Sequence, residues 1–277
     1  VPYRLDYPIL RIQKEMHGVR PLRVHRPEGT AGVVRAFIQK KLDKQGGIHR
    51  FFYHGPMFRY ERPQKGRLRE FHQFGIESFG VASVVEDATL IMMLADILDT
   101  LGISFKLKLN SLGCQECMPP YRNKLVSFLE SVEEEICEDC VRRKGTNPIR
   151  VLDCKNGSCQ ERYVEAPKLA DNLCSCCDVD FSVLQTMLRD NGIDFEIDTH
   201  LVRGLDYYSK TAFEFVSDEI GAQSAIAGGG RYDGLMQMLG TDEPVPVPRL
   251  TVWLSPVSIS APTDWTWPRA RSSVFGG

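Results

Sequence analysis

The chain has 277 residues, 43% hydrophobic and 25% charged, a globular composition with enough apolar side chains for a sizeable core. Its net charge of −2 excludes a molecule that traps nucleic acid over its whole surface, so any polyanion site is local. No apolar run is long enough to span a bilayer: LIMMLADILDTLGI (90–103) is short and broken by Asp96 and Asp99.

No signal peptide is visible, which predicts a cytoplasmic protein, and a start at Val1 rather than Met suggests that an N-terminal piece is missing. HRPEGTAGVVRAFIQKKL (25–42) reads as a turn feeding a helix, with Thr30 as N-cap and Val33, Val34, Phe37, Ile38 and Leu42 on one face. FFYHGPMFRYE (51–61) and EFHQFGIESFG (70–80) read as aromatic-rich strands. A helix follows over 83–102 with Gly102 as its stop, then an alternating strand over 104–110. The cysteine-rich stretch holds a helix after Pro119-Pro120 and another ending at Asn191-Gly192. Strand character returns over 195–217, and AIAGGGRYDGLMQMLG (225–240) reads as a strand, a glycine turn and a helix. The glycines of GGGRYDG match neither a P-loop nor a dinucleotide fingerprint; they let backbone pass close to a pocket or only make a tight turn. After Asp242 the composition changes: six of the 16 prolines and all three tryptophans lie in 243–277, with no helical or strand period, so this tail is expected to be poorly ordered.

The two aromatic-rich strands form an antiparallel hairpin in which side chains alternate between faces. Phe74 and Ile76 fall on the face that packs on a core, with His72. Arg59, Glu61, Gln73 and Glu77 fall on the other, with Phe71 as an apolar platform. A solvated sheet face is the ordinary reading of such a pattern. Against it, Gly75 leaves room for close approach, and the long connecting loop carries Arg62, Lys65, Arg67 and Arg69 around a glycine. A cationic loop over a mixed polar face suits a ligand with a polyphosphate, a stackable ring and an amine. RPEGT (26–30) and LVRGLDYYSKTAFEF (201–215) have the same flavour, although each alone also reads as a capped helix or a buried tyrosine pair.

Together these stretches resemble the histidyl-tRNA synthetases, which are class II aminoacyl-tRNA synthetases. FRYERPQKGRLREFHQFGIESFG is similar to class II motif 2, RPEGTAG to the first histidine-binding element, and LVRGLDYYSKTAFEF and AIAGGGRYDGL to the two histidine-specific motifs, in that order along the chain. The resemblance implies an α+β fold, an antiparallel sheet flanked by helices, with an inserted cysteine-rich, mainly helical domain. Residues 1–112 and 195–242 would then form the catalytic core, and 113–194 the insertion. It implies activation of L-histidine by ATP with Mg2+, then transfer to tRNA(His). Arg59 and Arg203 would neutralise charge at the α-phosphate. Glu61 and Arg67 would join Arg59 in binding ATP, with Phe71 stacked on adenine. Glu28, Gly29, Thr30 and Gln73 would hold the histidine amine end; Glu77 and Tyr208 would read the imidazole, with Tyr207 lining the pocket. The family is homodimeric through motif 1, but only some two dozen residues precede RPEGT here. EPVPVPRLTVWLSPVSISAP stands where motif 3 belongs, and the anticodon-binding domain does not follow. Such a tail would be natural for a shifted reading frame or a truncated gene model. The loss of motif 3 leaves a second reading open, a non-catalytic relative that binds histidine or tRNA and regulates another process. A third, an unrelated zinc module on nucleic acid, rests on the cysteines and basic residues alone.

All nine cysteines lie between Cys114 and Cys177. Their C-x2-C spacing reads as a zinc signal. Cys114, Cys117, Cys137, Cys140, Cys154, Cys159, Cys174 and Cys177 make four pairs, enough for two Zn(Cys)4 sites, with Cys176 left over; the alternative reading makes several of them small buried residues without metal. The role expected of such a metal is to stiffen the insertion, where Arg142, Arg143 and Lys144 would contact tRNA phosphates.

Overall fold

The computed structural model describes residues 26–60, 68–152, 154–201, 208–218, 225–241 and 245–254. Alternating aromatic and small residues form β1 (His49–Phe58) and β2 (Glu70–Phe79), paired antiparallel from His49 opposite Phe79 to Phe58 opposite Glu70. They open a seven-stranded sheet with β3 (Lys106–Ser111), β4 (Phe195–Ile197), β5 (Ser209–Val216), β6 (Ala225–Arg231) and β7 (Pro248–Leu254), in the order β1-β2-β7-β6-β5-β3-β4. Every neighbouring pair is antiparallel except β3 with β4.

Helix α1 (Thr30–Gln39) and helix α2 (Val84–Thr100) serve different faces. The α2 sequence is apolar nearly all round, and nine of its residues are buried, as expected for a helix pressed into a core. Ser83 caps it by accepting from Val85 N at 3.3 Å, and Glu86 and Asp87 sit in its first turn, where the backbone N–H groups favour acids. Gly102, at φ +68°, ends it: Gly102 N donates to Asp99 O and Ile103 N to Leu98 O, each at 2.9 Å. Leu90, Ile91, Leu94 and Leu98 pack with Leu107, Leu109, Phe213 and Phe215 of the sheet and with Phe74 and Ile76 of β2. On the other face, Val34 and Phe37 of α1 meet Phe79, whose ring stacks on Phe37 at 4.2 Å, together with Tyr232, Met236 and Val247.

The insertion carries α3 (Met118–Ser131), α4 (Glu138–Thr146) and α5 (Gly157–Tyr163), around its own core of Tyr121, Leu125, Leu129, Val151, Tyr163 and five buried cysteines that include Cys140 and Cys159. Helix α6 (Ser175–Asp190) is shared, contrary to the sequence division that places it inside the insertion. Its Cys177 joins the cysteine-rich core, while Phe181, Leu184 and Leu188 join the main one. A single helical turn, α7 (Leu235–Met238), follows β6.

Two expectations are corrected here. The glycines of GGGRYDG do not form a turn: Gly228, Gly229 and Gly230 lie within β6. And the tail is structured through Leu254, where β7 lies between β2 and β6. Its approach is fixed by hydrogen bonds: Gly80 N to Pro246 O at 2.9 Å, Tyr232 N to Val247 O at 3.0 Å, and Val247 N to Asp233 Oδ1 at 2.8 Å. Pro248 stands at the first position of the strand, where its missing N–H is tolerated. Strand partners supply the order that no period in the tail announced. Residues 255–277 lie outside the described residues.

The start of α2 is locked to the sheet by buried charge. Arg231 is 1% exposed and donates to Asp87 at 2.6 and 3.3 Å and to the carbonyls of Val81 and Ser83 at 2.8 and 3.1 Å. Thr211 Oγ1 adds a bond to Asp87 at 2.6 Å. Burial pushes the Asp87 carboxyl up, and the guanidinium opposes it; with a cation that keeps its proton so close, the pair is charged. Replacing Asp87 with Ala strands that cation and should cost about 3–5 kcal/mol in urea unfolding; a loss below about 1 kcal/mol would contradict this. Nearby, Arg50 grips Glu86 through two bonds of 2.7 and 2.8 Å, and Ser78 donates to it at 2.7 Å. The Arg50 bond, with help from Ser78, holds the Glu86 pKa below its ordinary value. A carboxylate with a lowered folded-state pKa stabilises above its unfolded pKa and loses that stability as pH falls through the folded one. Glu86→Gln should therefore flatten the acid limb of the stability profile, measured as unfolding midpoints from neutral to acid pH.

Candidate active site

The stretch Arg26–Thr30 runs beside the open end of the hairpin: Phe58 N donates to Arg26 O at 2.8 Å and Arg59 Nε to Pro27 O at 3.1 Å. It then enters α1. Thr30 is the first helical residue, not the cap. The capping role falls to the Glu28 carboxylate, which accepts from Thr30 N at 2.8 Å and Ala31 N at 3.0 Å. That frees the Thr30 hydroxyl to donate inward, to Glu77 Oε1 at 2.7 Å. Tyr232 OH donates to the other oxygen, Glu77 Oε2. Glu77 is fully buried, and so is the Thr30 that faces it.

Gln73, on the same face of β2, is 1% exposed and accepts from Gly29 N at 3.2 Å. Its Nε2 has no partner among the described residues. A buried amide donor left over in this way is costly unless something arrives to accept from it. Tyr208 closes another side, with its ring edge-on to Tyr232 at 6.3 Å. Gly230, at φ +156°, makes room for it: a Cβ there would lie 3.0 Å from the Tyr208 ring and 2.5 Å from Thr211 O. Arg59 sits at the outer end, its guanidinium 4.8 Å from the centroid of the Phe71 ring.

The structure therefore brings together Glu28, Gly29, Thr30, Gln73 and Glu77, with Tyr208 adjoining through Tyr232 and Arg59 with Phe71 at the hairpin end. Glu61, Arg67, Arg203 and Tyr207 lie outside the described residues. The predicted split of the hairpin faces holds, but the polar face is enclosed rather than open: Phe71, Gln73 and Glu77 are all buried. The space beside Gly75 is filled by Tyr53, whose ring lies between Gly75 and Gly29; a Cβ on either glycine would come within 2.2 Å of it. Sequence reasoning missed Tyr53 and Tyr232. Tyr53 was recoverable, because it stands opposite Gly75 in the hairpin register. Tyr232 had no local signal; its partner is 155 residues away.

An antiparallel sheet with this hairpin, flanked by helices, defines a class II aminoacyl-tRNA synthetase-like domain. Apo histidyl-tRNA synthetase of S. aureus superposes on 86% of the chain with a TM-score of 0.69 and 34% identity, using 57% of its own length. Residues 23–245 match the histidyl-tRNA synthetase family model, and the chain belongs to that family. It is 73% identical over 214 residues to the histidine--tRNA ligase of Sulfurimonas denitrificans, covering 77% of this chain and 53% of that protein. The corresponding figures for a Campylobacter jejuni histidine--tRNA ligase are 68% over 214 residues, 77% and 52%. The chain thus spans about half the length of the curated relatives it matches. An ATP phosphoribosyltransferase regulatory subunit/histidyl-tRNA synthetase from Bacillus halodurans shares the fold at 19% identity and a TM-score of 0.55, over 82% of this chain and 62% of its own. Among the described residues no helix is long and apolar enough to cross a membrane.

The Tyr53 slot gives a direct test. Gly75→Ala overfills it, because the ring is already held on its far side by Gly29, and should cost about 1–3 kcal/mol in urea unfolding. A neutral result would mean that the ring swings out of the slot freely.

Proposed function

We propose that this chain carries the histidine-activation site: L-histidine attacks the α-phosphate of ATP, which enters as its magnesium complex, giving histidyl-adenylate and pyrophosphate. In the whole protein the histidyl group then passes to tRNA(His), in the cytoplasm. The observation that supports this reading is the buried polar cluster of Thr30, Gln73, Glu77 and Tyr232, with Arg59 bonded to the same Arg26–Thr30 stretch through Pro27.

Each group has a role that follows from its bonding. The Thr30 hydroxyl spends its hydrogen on Glu77, so what it has left to offer the substrate ammonium is acceptor lone pairs. Glu28, tied to the start of α1, adds negative charge nearby. Glu77, with Tyr208, accepts the imidazole N–H, a carboxylate being an acceptor at both of its oxygens. Gln73 Nε2 gains the acceptor it lacks when the substrate carbonyl oxygen lies against it. A pocket of this kind rejects apolar isosteres of histidine, because they would leave its polar groups unpaired. By the family resemblance, Tyr207 would line the same pocket.

Arg59 rests on Phe71 in the structure. On ATP binding it would rotate to the α-phosphate, exposing the ring for adenine to stack on. There Arg59 and, by the family resemblance, Arg203 would neutralise the charge that builds on the phosphate oxygens in the transition state, while Arg67 and Glu61 would position the outer phosphates. The amine of histidine is the nucleophile and pyrophosphate leaves; no general base is needed beyond this positioning. Identity of 63–73% to proteins named histidine--tRNA ligase favours this reading over a regulatory relative.

The test is exchange of labelled pyrophosphate into ATP. The chain should catalyse it only with histidine present, and Arg59→Ala should reduce it by about 100-fold or more, the size of a lost transition-state donor. Exchange that is absent while histidine still binds would leave a binding module and overturn activation.

A further inference from the structure

The insertion contains chemistry that histidine activation does not use. Its cysteines form two separate groups, and the CQEC and CEDC pairs fall in different ones. The sulfurs of Cys137, Cys140, Cys154 and Cys159 lie within 4.8 Å of one another, as do those of Cys114, Cys174, Cys176 and Cys177. Cys117 adjoins the second set, 3.8 Å from Cys114. The other resolved sulfur separations are 3.6 Å (Cys114 to Cys174), 3.5 Å (Cys174 to Cys176) and 3.9 Å (Cys137 to Cys154).

These distances choose between the candidate chemistries. A disulfide needs sulfurs at about 2.05 Å and takes them in pairs, whereas all nine cysteines are free thiols and gather in fours. Zn–S bonds of about 2.3 Å in a tetrahedron place the sulfurs about 3.8 Å apart. An iron–sulfur cluster interposes several irons and sulfides and needs a wider ring of thiolates. The separations fit one tetrahedral ion per group.

The two groups are built alike. In each, the first cysteine of one pair accepts an N–H two residues on: Glu116 N to Cys114 at 3.4 Å, and Asn156 N to Cys154 at 3.5 Å. In each, a cysteine at a helix N-cap donates its own N–H to the last cysteine of the other pair: Cys174 N to Cys117 at 3.1 Å, and Cys137 N to Cys159 at 3.2 Å. Backbone donors of this kind stabilise metal-bound thiolates. The correspondence matches Cys117 to Cys159, both buried, and leaves the exposed Cys176 without a counterpart. Gly113 is shaped for Cys117: at φ +62°, a Cβ there would lie 2.6 Å from the Cys117 Cβ. Mutual distance alone selects Cys176 as the fourth ligand; the repeated scaffold selects Cys117, and a buried, backbone-braced sulfur is the better preorganised of the two.

We propose that the insertion binds two zinc ions, one on Cys114, Cys117, Cys174 and Cys177 and one on Cys137, Cys140, Cys154 and Cys159, with Cys176 outside both sets. The first ion clamps the root of the insertion, where the chain leaves β3 and re-enters α6. The second ties α4 to α5 inside it. Both are closed sites with four protein ligands, and so structural.

Metal analysis of the full chain, purified under reducing conditions with zinc supplied, tests this without reference to aminoacylation. The expected content is one zinc per cluster, two per chain. Cys176→Ser should retain both, while Cys117→Ser and Cys137→Ser should each lose one. Because a ligand variant can misfold, the unaltered chain and Cys176→Ser are also reconstituted with Co2+; both should show the same tetrahedral tetrathiolate absorption. Fewer than two zinc ions in the unaltered chain, loss of metal in Cys176→Ser, or a Co2+ spectrum altered by that substitution would overturn the proposal.

Discussion

A carboxylate with no exposure to water fixes the geometry of the candidate site. Glu77 takes a hydroxyl hydrogen from Thr30 on one oxygen and from Tyr232 on the other. Those three residues belong to β2, to the first turn of α1 and to the position just after β6, segments that local sequence does not connect. A buried carboxyl without partners would cost several kcal/mol, so each donor is needed where it is, and each bond to a charged acceptor contributes about 1.5–3 kcal/mol. The pocket is therefore as rigid as the fold that holds it. On the same strand face the Gln73 amide, held by Gly29 N, keeps a buried N–H donor without a partner among the described residues.

A second buried charge sits on the same scaffold. Arg231, one residue before Tyr232, is held by Asp87 and two backbone carbonyls at the start of α2. It fixes the end of β6, and thereby the position from which Tyr232 reaches Glu77. Stability and site geometry are thus joined through consecutive residues: one anchors the strand in the core and the next delivers a hydroxyl to the pocket. The insertion stands apart from this arrangement. It has its own small core, and its cysteines gather at its root and between its short helices.

Much of this was legible in the sequence, for reasons that differ by residue. The hairpin could be read because its side chains alternate with a period of two, and that alternation placed Phe71, Gln73 and Glu77 on one face. The α2 helix announced its end through Gly102. What could not be read were consequences of long-range pairing. Whether the polar face is open or enclosed depends on Tyr53, and hence on register across a loop. The glycines after Ile226 look like a turn until the sheet is seen to run through them. An arginine in such a stretch looks solvent-facing until Asp87, 144 residues away, is found beside it. β7 has no strand period of its own, and its order comes from β2 and β6 on either side. The capping of α1 was misassigned because Glu28 and Thr30 are both suitable, and only the position of Glu77 decides between them.

The central claim is that Glu77, held by Thr30 and Tyr232, recognises the imidazole of histidine. Calorimetric titration of L-histidine into the unaltered chain and into Glu77→Gln addresses it most directly, with circular dichroism to show that the variant keeps its fold. Loss of one buried acceptor should weaken binding by about 10- to 100-fold. Equal affinity for histidine in the two proteins would contradict it.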